Sequence, residues 1–442
     1  MHLSPELCRM FLQGELAGEA FLSAALSHLL DECDECRQVW EQISLMKEAP
    51  HTVSVSHHGA KSDNRAGIPG HEELAEQEVR LKEFRKERRS ARRDVKELLQ
   101  LAPDARRARI ENARSRFRSQ VFVELLLEEA RIQVRQDVKT SIDLASLVPV
   151  AVHWMAGAVA PDWAFRITCM ASAVKANAVR ISGEMAVADQ CFSDLRRRIR
   201  RNPVLRSADL AEITTGEAAL RYEQRKYDDA ERLLDKAILH HRLAGNTRGL
   251  AQALILQGQV HSARQVFDQA NRCYAKVVAL LEPEEEPFLV QCAVTGQVNC
   301  LCGLGDYDGA EELLDAHRGL YQGNDRYRTA ALRGLEGEIA IGRGLWATAA
   351  ASYTECRDGC LEIGRDHDAT IACLQIARAM LEQGQIEQVL TMATEVLEIF
   401  RARGAEQEAL SALILIQEAA ASRTLTAAIL NKVRRQLEAH AV

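Results

Sequence analysis

From position 118 to position 440 apolar side chains recur three and four residues apart, in stretches separated by short polar turns. That spacing lays one apolar stripe along a helix. No alternating polar and apolar run interrupts it, so the region predicts helices and no strands. Aligning the segments that open every second helix exposes a longer period. The segments are 183–188, 226–230, 266–270, 306–310, 344–349 and 384–389. The small residue closing each one (Ala188, Ala230, Ala270, Ala310, Ala349, Val389) recurs after 42, 40, 40, 39 and 40 residues. Three positions earlier stands a large apolar residue: Met185, Tyr227, Phe267, Tyr307, Trp346 or Ile386. Four positions later comes Phe192, Leu234, Tyr274, Leu314, Tyr353 or Ala393, and twelve earlier Ala176, Ala218, Gly258, Val298, Gly337 or Ala377.

This grammar has a packing reason. A tiny side chain in the first helix of a unit lets the second helix approach closely, and the small residue in the second does the same for the next unit. The large residue at the turn fills the wedge between them. These units resemble tetratricopeptide repeats, in which a Gly or Ala, a Tyr, an Ala and an aromatic occupy the matching places. The usual unit has about 34 residues, so both helices here are expected to be longer. The resemblance covers about 118–440: six repeats, a diverged one near 141–157 and a capping pair at 407–439. It implies an all-α fold, a right-handed superhelical stack of antiparallel helix pairs.

Upstream the composition shifts. Residues 47–71 are rich in Gly, Pro, Ser and His without any period and are expected to form a flexible linker. Residues 72–117 form a charged helical connector, with a strongly charged helix near 71–100 and a short one near 103–116. That leaves 1–46 as a separate small helical domain.

Composition narrows the functional classes. The 442 residues are 47% hydrophobic but only 5% aromatic, with 9 prolines, which excludes an all-β fold. A net charge of −7 argues against a protein that coats nucleic acid. No window approaches 18 uninterrupted apolar residues, and no basic then apolar leader opens the chain. A cytoplasmic protein with no membrane partner is expected. Of the 12 cysteines, Cys169, Cys191, Cys273, Cys292, Cys300, Cys356 and Cys373 sit among apolar or small neighbours in helical patterns and are expected to be buried thiols.

Two cysteines stand apart. His28, Cys33 and Cys36 cluster at a helix end and the next helix start, putting one imidazole and two thiolates within reach of one tetrahedral ion. Thiolates at a helix start are favoured by the helix dipole. A segment this short also has too little core to fold easily alone, a deficit that a structural metal would supply. The stretch resembles the zinc-finger domain of bacterial anti-sigma factors. Their pattern is a Cys or His, a Gly-Glu-Leu turn (here Gly14-Glu15-Leu16), then His-x3-Cys-x2-Cys, against which this chain has one extra residue between His28 and Cys33. The resemblance implies Zn2+ as a structural cofactor with His2 as fourth ligand. Cys8, within the first helix, is the alternative, and a metal-free three-helix knob is the alternative to both.

Few other motifs carry chemistry. The helix at 80–93 has eight Lys or Arg against two Glu, and 196–201 is a second basic cluster. The first holds a single aromatic, Phe84, and the second none, too few for a base-stacking platform, so both are expected to be solvated faces, with nucleic acid not the expected partner. No phosphate-binding loop, dinucleotide fingerprint, metalloprotease helix or nucleophile elbow occurs, and the chain is expected not to be an enzyme. In repeats of this kind, the position after the small first-helix residue faces the inner groove, which here gives Ala219, Gln259, Asn299, Glu338 and Arg378. Four residues earlier come Thr215, Ile255, Thr295, Gly334 and Leu374. Related domains that clamp a C-terminal carboxylate use Lys and Asn at such places, and only Asn299 fits. The chain therefore reads as a scaffold or regulatory protein that binds a partner protein through Gln259, Thr295, Asn299, Glu338 and Arg378. The head would be a second docking or sensing module, and its resemblance suggests a sigma factor or other signalling protein as partner. The alternative is a nucleic-acid-associated regulator using the basic helix 80–93.

Overall fold

A computed structural model of the chain describes residues 71–113, 116–323, 325–403, 407–421 and 423–438. His2, Cys8, His28, Cys33, Cys36 and the segment before residue 71 lie outside the described residues. The chain divides into two compact units, Met1–Arg85 and Lys86–Val442. In the first, the described residues are helical throughout. The described residues hold eighteen α-helices, one short 3-10 turn and no strand.

Helix α1 spans His71–Leu99 and α2 spans Pro103–Glu111. Eight helix pairs follow: α3 (Gln120–Gln133) with α4 (Val138–His153), α5 (Pro161–Ile181) with α6 (Met185–Arg201), α7 (Ser207–Glu223) with α8 (Tyr227–Leu243), and α9 (Thr247–Ala263) with α10 (Phe267–Leu280). The array continues through α11 (Pro287–Leu304) with α12 (Tyr307–Ala316), α13 (Arg326–Gly342) with α14 (Trp346–Glu362), α15 (Asp366–Glu382) with α16 (Ile386–Arg403), and α17 (Gln407–Ala421) with α18 (Ala427–Glu438). From α3 to α17 each helix packs chiefly on its neighbours in sequence, and first helices also touch the first helix of an adjacent pair. This is an all-α solenoid of antiparallel helix pairs.

Local chemistry sets the starts. Ser119 accepts a bond from the Phe122 amide, Asn246 from Gly249 and Asp306 from Gly309, each satisfying an otherwise orphaned donor. Pro103, Pro161 and Pro287 occupy first turns, where a missing amide costs nothing. The C-terminus of α1 is closed from outside. The Arg106 guanidinium donates to the carbonyls of Leu98, Leu99 and Leu101 and pairs with Asp143 at 2.7 Å.

The small and large positions of the repeat meet each other in space. Ala188, Ala230, Ala270, Ala310, Ala349 and Val389 are all fully buried. A Cβ placed on Gly258 would lie 2.7 Å from the Tyr274 ring, and one on Gly337 2.6 Å from Tyr353. Glycine in the first helix is thus matched to tyrosine in the second. Where the second helix carries Leu234 or Leu314, the first carries Ala218 or Val298. The large turn residues reach into the next pair: Phe267 fills the space above Gly303, and Tyr307 that above Gly342.

The six repeats turn in the same way, and the terminal pair repeats it at Arg423, with φ of 54°. The residue five before the small marker is left-handed in all six repeats, with φ of 85° at Gly183, 57° at Arg225, 61° at Gln265, 81° at Gly305, 72° at Gly344 and 72° at Gly384. Its amide bonds back three residues, and the following amide bonds back five, as in Arg225 to Tyr222 and Lys226 to Arg221. This is the glycine-favouring helix stop in which a side chain costs roughly 1 kcal/mol or more. Four repeats use glycine and two do not.

Three further features stand out from the repeat pattern. Between α5 and α8 the basic cluster folds inward: Arg196 pairs with the buried Glu217, which also bonds Arg221, itself 2.7 Å from Asp189. Burial pushes the Glu217 carboxyl up, against the pull of Arg196 and Arg221. Arg198 donates to Ser172 and lies over the Phe165 ring. The expectation of a solvated face at 196–201 therefore holds for only part of the cluster. Helix α11 is long and apolar enough to cross a membrane, with mean hydropathy 1.2, but it packs among α9, α10, α12 and α13 as a repeat helix. Finally, α18 packs more extensively on α15 than on α17, its partner in the terminal pair, so the chain ends by turning back across the first helices.

Candidate partner-binding face

The first helices of successive pairs form one face, and its polar side chains divide it into three stretches. At the beginning the face is tied to itself. Trp163 donates to Glu124 at 3.2 Å, Arg131 makes a bidentate pair with Glu212 at 2.8 and 2.9 Å, and Arg166 approaches Asp209 at 3.4 Å. In the middle, Gln259 on α9 and Asn299 on α11 are exposed at equivalent positions. At the far end α18 lies on the face.

The contact with α18 centres on Glu338. Its carboxylate accepts from Arg434 of α18 at 3.3 Å, from the Gln375 amide at 2.7 Å and from the Tyr353 hydroxyl at 2.5 Å. Burial raises the Glu338 pKa, but the Arg434 charge and these donors outweigh it and hold the carboxyl below the usual carboxylate range. Burial and the Glu338 charge raise the Tyr353 hydroxyl well above its ordinary value, so it remains a donor. A neutral donor and an arginine on one carboxylate, walled by the buried Gln375 and Tyr353, make a specific polar anchor rather than a loose surface pair.

The remaining expected groove residues are placed differently. The Thr295 hydroxyl is 2.8 Å from that of Tyr321, a buried side chain of the 3-10 turn Arg318–Tyr321, and is taken up in packing. Arg378 on α15 is half-buried, and its Nε has no hydrogen-bond partner. Gln259, Asn299 and Glu338 share the first-helix face, whereas Thr295 serves the array's own interior.

Beside the Glu338 anchor lies a cavity of about 650 Å³. Tyr222, Arg225 and Tyr227 border it from the turn between α7 and α8, and Ser262, Gln265 and Phe267 from the turn between α9 and α10. Asn299 and Cys302 of α11 and Glu338 of α13 continue the wall, and Asn431, Arg434 and Arg435 of α18 complete it. Burial pushes the Cys302 thiol up to about 12, so it lines the wall as an inert group and not as a nucleophile. Arg225, Gln265 and the α18 residues escaped notice in the sequence. The first two had a visible signal, since they stand where four other repeats carry glycine. The contact between Arg434 and Glu338 spans 96 residues and leaves no trace in a 40-residue period.

Among the described residues no three His, Cys, Asp or Glu side chains gather as a metal site. No protein-family model matches the chain. No curated protein matches its sequence. Solved structures with similar folds include BtubC (BKLC) from P. vanneervenii, at 16% identity and a TM-score of 0.38 over 53% of this chain and 90% of that one. Another is a Rap protein complexed with competence and sporulation factor, at 13% identity and a TM-score of 0.44 over 81% of this chain and 99% of that one.

Proposed function

We propose that the chain is a non-enzymatic cytoplasmic scaffold or regulatory protein that binds a partner protein on the face of its first helices. One observation carries this reading: the face already holds a helix, the chain's own α18, through the Glu338 anchor. A surface with a half-buried carboxylate, aromatic walls and exposed Gln259 and Asn299 next to that helix has the chemistry to hold more chain. The residues 1–46 would add a second docking or sensing module, held together by zinc on His28, Cys33, Cys36 and either His2 or Cys8. By its resemblance to anti-sigma factors that module suggests a sigma factor or another signalling protein as the partner. The test is capture of partners from the native host by the full chain, read by mass spectrometry, against Gln259→Arg and Asn299→Arg. Both sites are exposed, so the variants should melt as wild type and lose the partner; undiminished capture by both would place the interface elsewhere.

A further inference from the structure

Among the described residues, Cys356 and Cys360 are the two cysteines that stand four positions apart on one helix, α14. That spacing puts both thiols on the same face, one turn apart, with Cβ atoms about 5–6 Å from each other. Cys360 is buried, with 3% of its surface exposed, while Cys356 is half-buried, so the pair is reached from solvent through one of its thiols. The two thiols hydrogen-bond, Cys356 donating to Cys360. A Cβ on Gly334 of α13 would lie 3.4 Å from the Cys356 sulfur, which places the pair at the seam between α13 and α14. Other thiols of the array are engaged elsewhere: Cys273 donates to Gln257, and Cys300 shares a hydrogen bond with Ser262.

The repeat does not ask for sulfur at these places. The same two positions carry Leu195 and Ile199 in the α6 unit, Val277 and Leu281 in the α10 unit, and Val396 and Phe400 in the α16 unit. Geometry then separates two uses of a thiol pair. A disulfide needs Cβ atoms about 3.5–4.5 Å apart, closer than one helical turn allows without distorting the backbone. An ion bridging two sulfurs in a line, at about 2.3 Å from each, holds them about 4.6 Å apart, which suits Cβ atoms one turn apart. Ligand number selects the ion. Thiolates favour soft ions, chiefly Cu(I) and zinc. Zinc takes four ligands in a closed site, and no third His, Cys, Asp or Glu completes a metal-binding group with this pair among the described residues. Cu(I) is satisfied by two thiolates.

We propose that Cys356 and Cys360 form a two-coordinate binding site for Cu(I). Both thiols give their protons to solvent as the two copper–sulfur bonds form. The ion arrives as Cu(I) and leaves the ligands of its carrier, so no electron is transferred. The site lies on a second helix and does not depend on the partner-binding reading above.

The experiment titrates the full chain, free of oxygen, with Cu(I) as its coloured bicinchoninate complex, whose fading counts the ions transferred. The head has thiols of its own, so every measurement is made in a Cys8→Ser, Cys33→Ser, Cys36→Ser background. That chain should take up about one Cu(I) and melt at a higher temperature with it, since the ion binds the folded pair. X-ray absorption should find the ion held by two sulfur atoms. Cys356→Ser and Cys360→Ser should each abolish the uptake and the thermal shift. Cys356→Val combined with Cys360→Leu should abolish them too; it installs the residues of the α10 unit and so separates loss of metal from loss of fold. Cys373→Ala, at a fully buried thiol of α15, should leave both unchanged. Undiminished uptake in the Val–Leu variant would overturn the proposal, as would three or four sulfurs around the ion, or uptake lost in a folded Cys373→Ala chain.

Discussion

Gly258→Ala puts the packing grammar to a quantitative test. The new methyl would lie 2.7 Å from the Tyr274 ring, about 0.8 Å inside carbon–carbon contact near 3.5 Å. The ring cannot yield by swinging away, because Gly296 of the next pair faces its other side and a Cβ there would be 2.5 Å from it. Tyr274 is thus held in a slot with glycine on both walls. Overpacking of this kind costs roughly 1–3 kcal/mol. Against it stands the helix propensity gained when alanine replaces a helix-interior glycine, about 1 kcal/mol. The net change in the wild-type chain should be a loss of roughly 1 kcal/mol. In a Tyr274→Leu background the clash is gone and the propensity gain remains, so the same Gly258→Ala change should stabilise by up to about 1 kcal/mol. Urea unfolding followed by far-UV circular dichroism, on all four members of the cycle, reads both signs. A change of the same sign in both backgrounds would show that Tyr274 does not define the slot and that the pairing of small and large positions is coincidental.

Other outcomes follow from buried charge and from the head. Burial depresses His240 to about 4, and also lowers His241 and His261, so these imidazoles are neutral in the folded chain. For His240 the unfolded chain binds more protons between pH 6.5 and 4, so its contribution is fully present above about 6.5 and is lost as pH falls through that window, and His241 and His261 act in the same direction. The urea midpoint should drop between pH 7 and pH 5 and drop less in His240→Gln; an unchanged slope in that variant would refute the assignment. Replacing Glu217 with alanine leaves Arg196 and the buried Arg221 without their shared carboxylate and should cost about 3 kcal/mol, with Glu217→Gln costing less; equal melting of Glu217→Ala and wild type would contradict this. The purified chain should carry about one zinc, lost in Cys33→Ser and Cys36→Ser. Comparing His2→Ala with Cys8→Ala identifies the fourth ligand, and a metal-free wild type whose first 45 residues resist protease would end the zinc proposal.

The helical repeat was legible because its information is local and recurs. Ala230, Ala270 and Ala310 could be aligned with no knowledge of what they touch, and the size match of Gly258 with Tyr274 lies within one unit. The first-helix face could be read only in part. Gln259 and Asn299 stand exposed where the register put them, but Thr295 has been claimed by Tyr321 from a turn the period does not cover. Arg196 looked like a surface cation until Glu217 met it from the next pair. The terminal pair carried the largest surprise. Read as a cap at 407–439, it instead sends α18 across α15 to reach Glu338, and contacts spanning two pairs have no counterpart in sequence spacing. Arg225 and Gln265 were visible as departures from glycine, a departure that Arg423 shares in the terminal pair.

The most direct test of partner binding is hydrogen exchange on the full chain, measured with and without the partner that Gln259→Arg and Asn299→Arg fail to capture. Slowed exchange should map to α9 around Gln259, to the end of α11 near Asn299 and to α18 around Arg434. Slowed exchange confined to the second helices, or unchanged exchange along the first-helix face, would contradict the proposed interface.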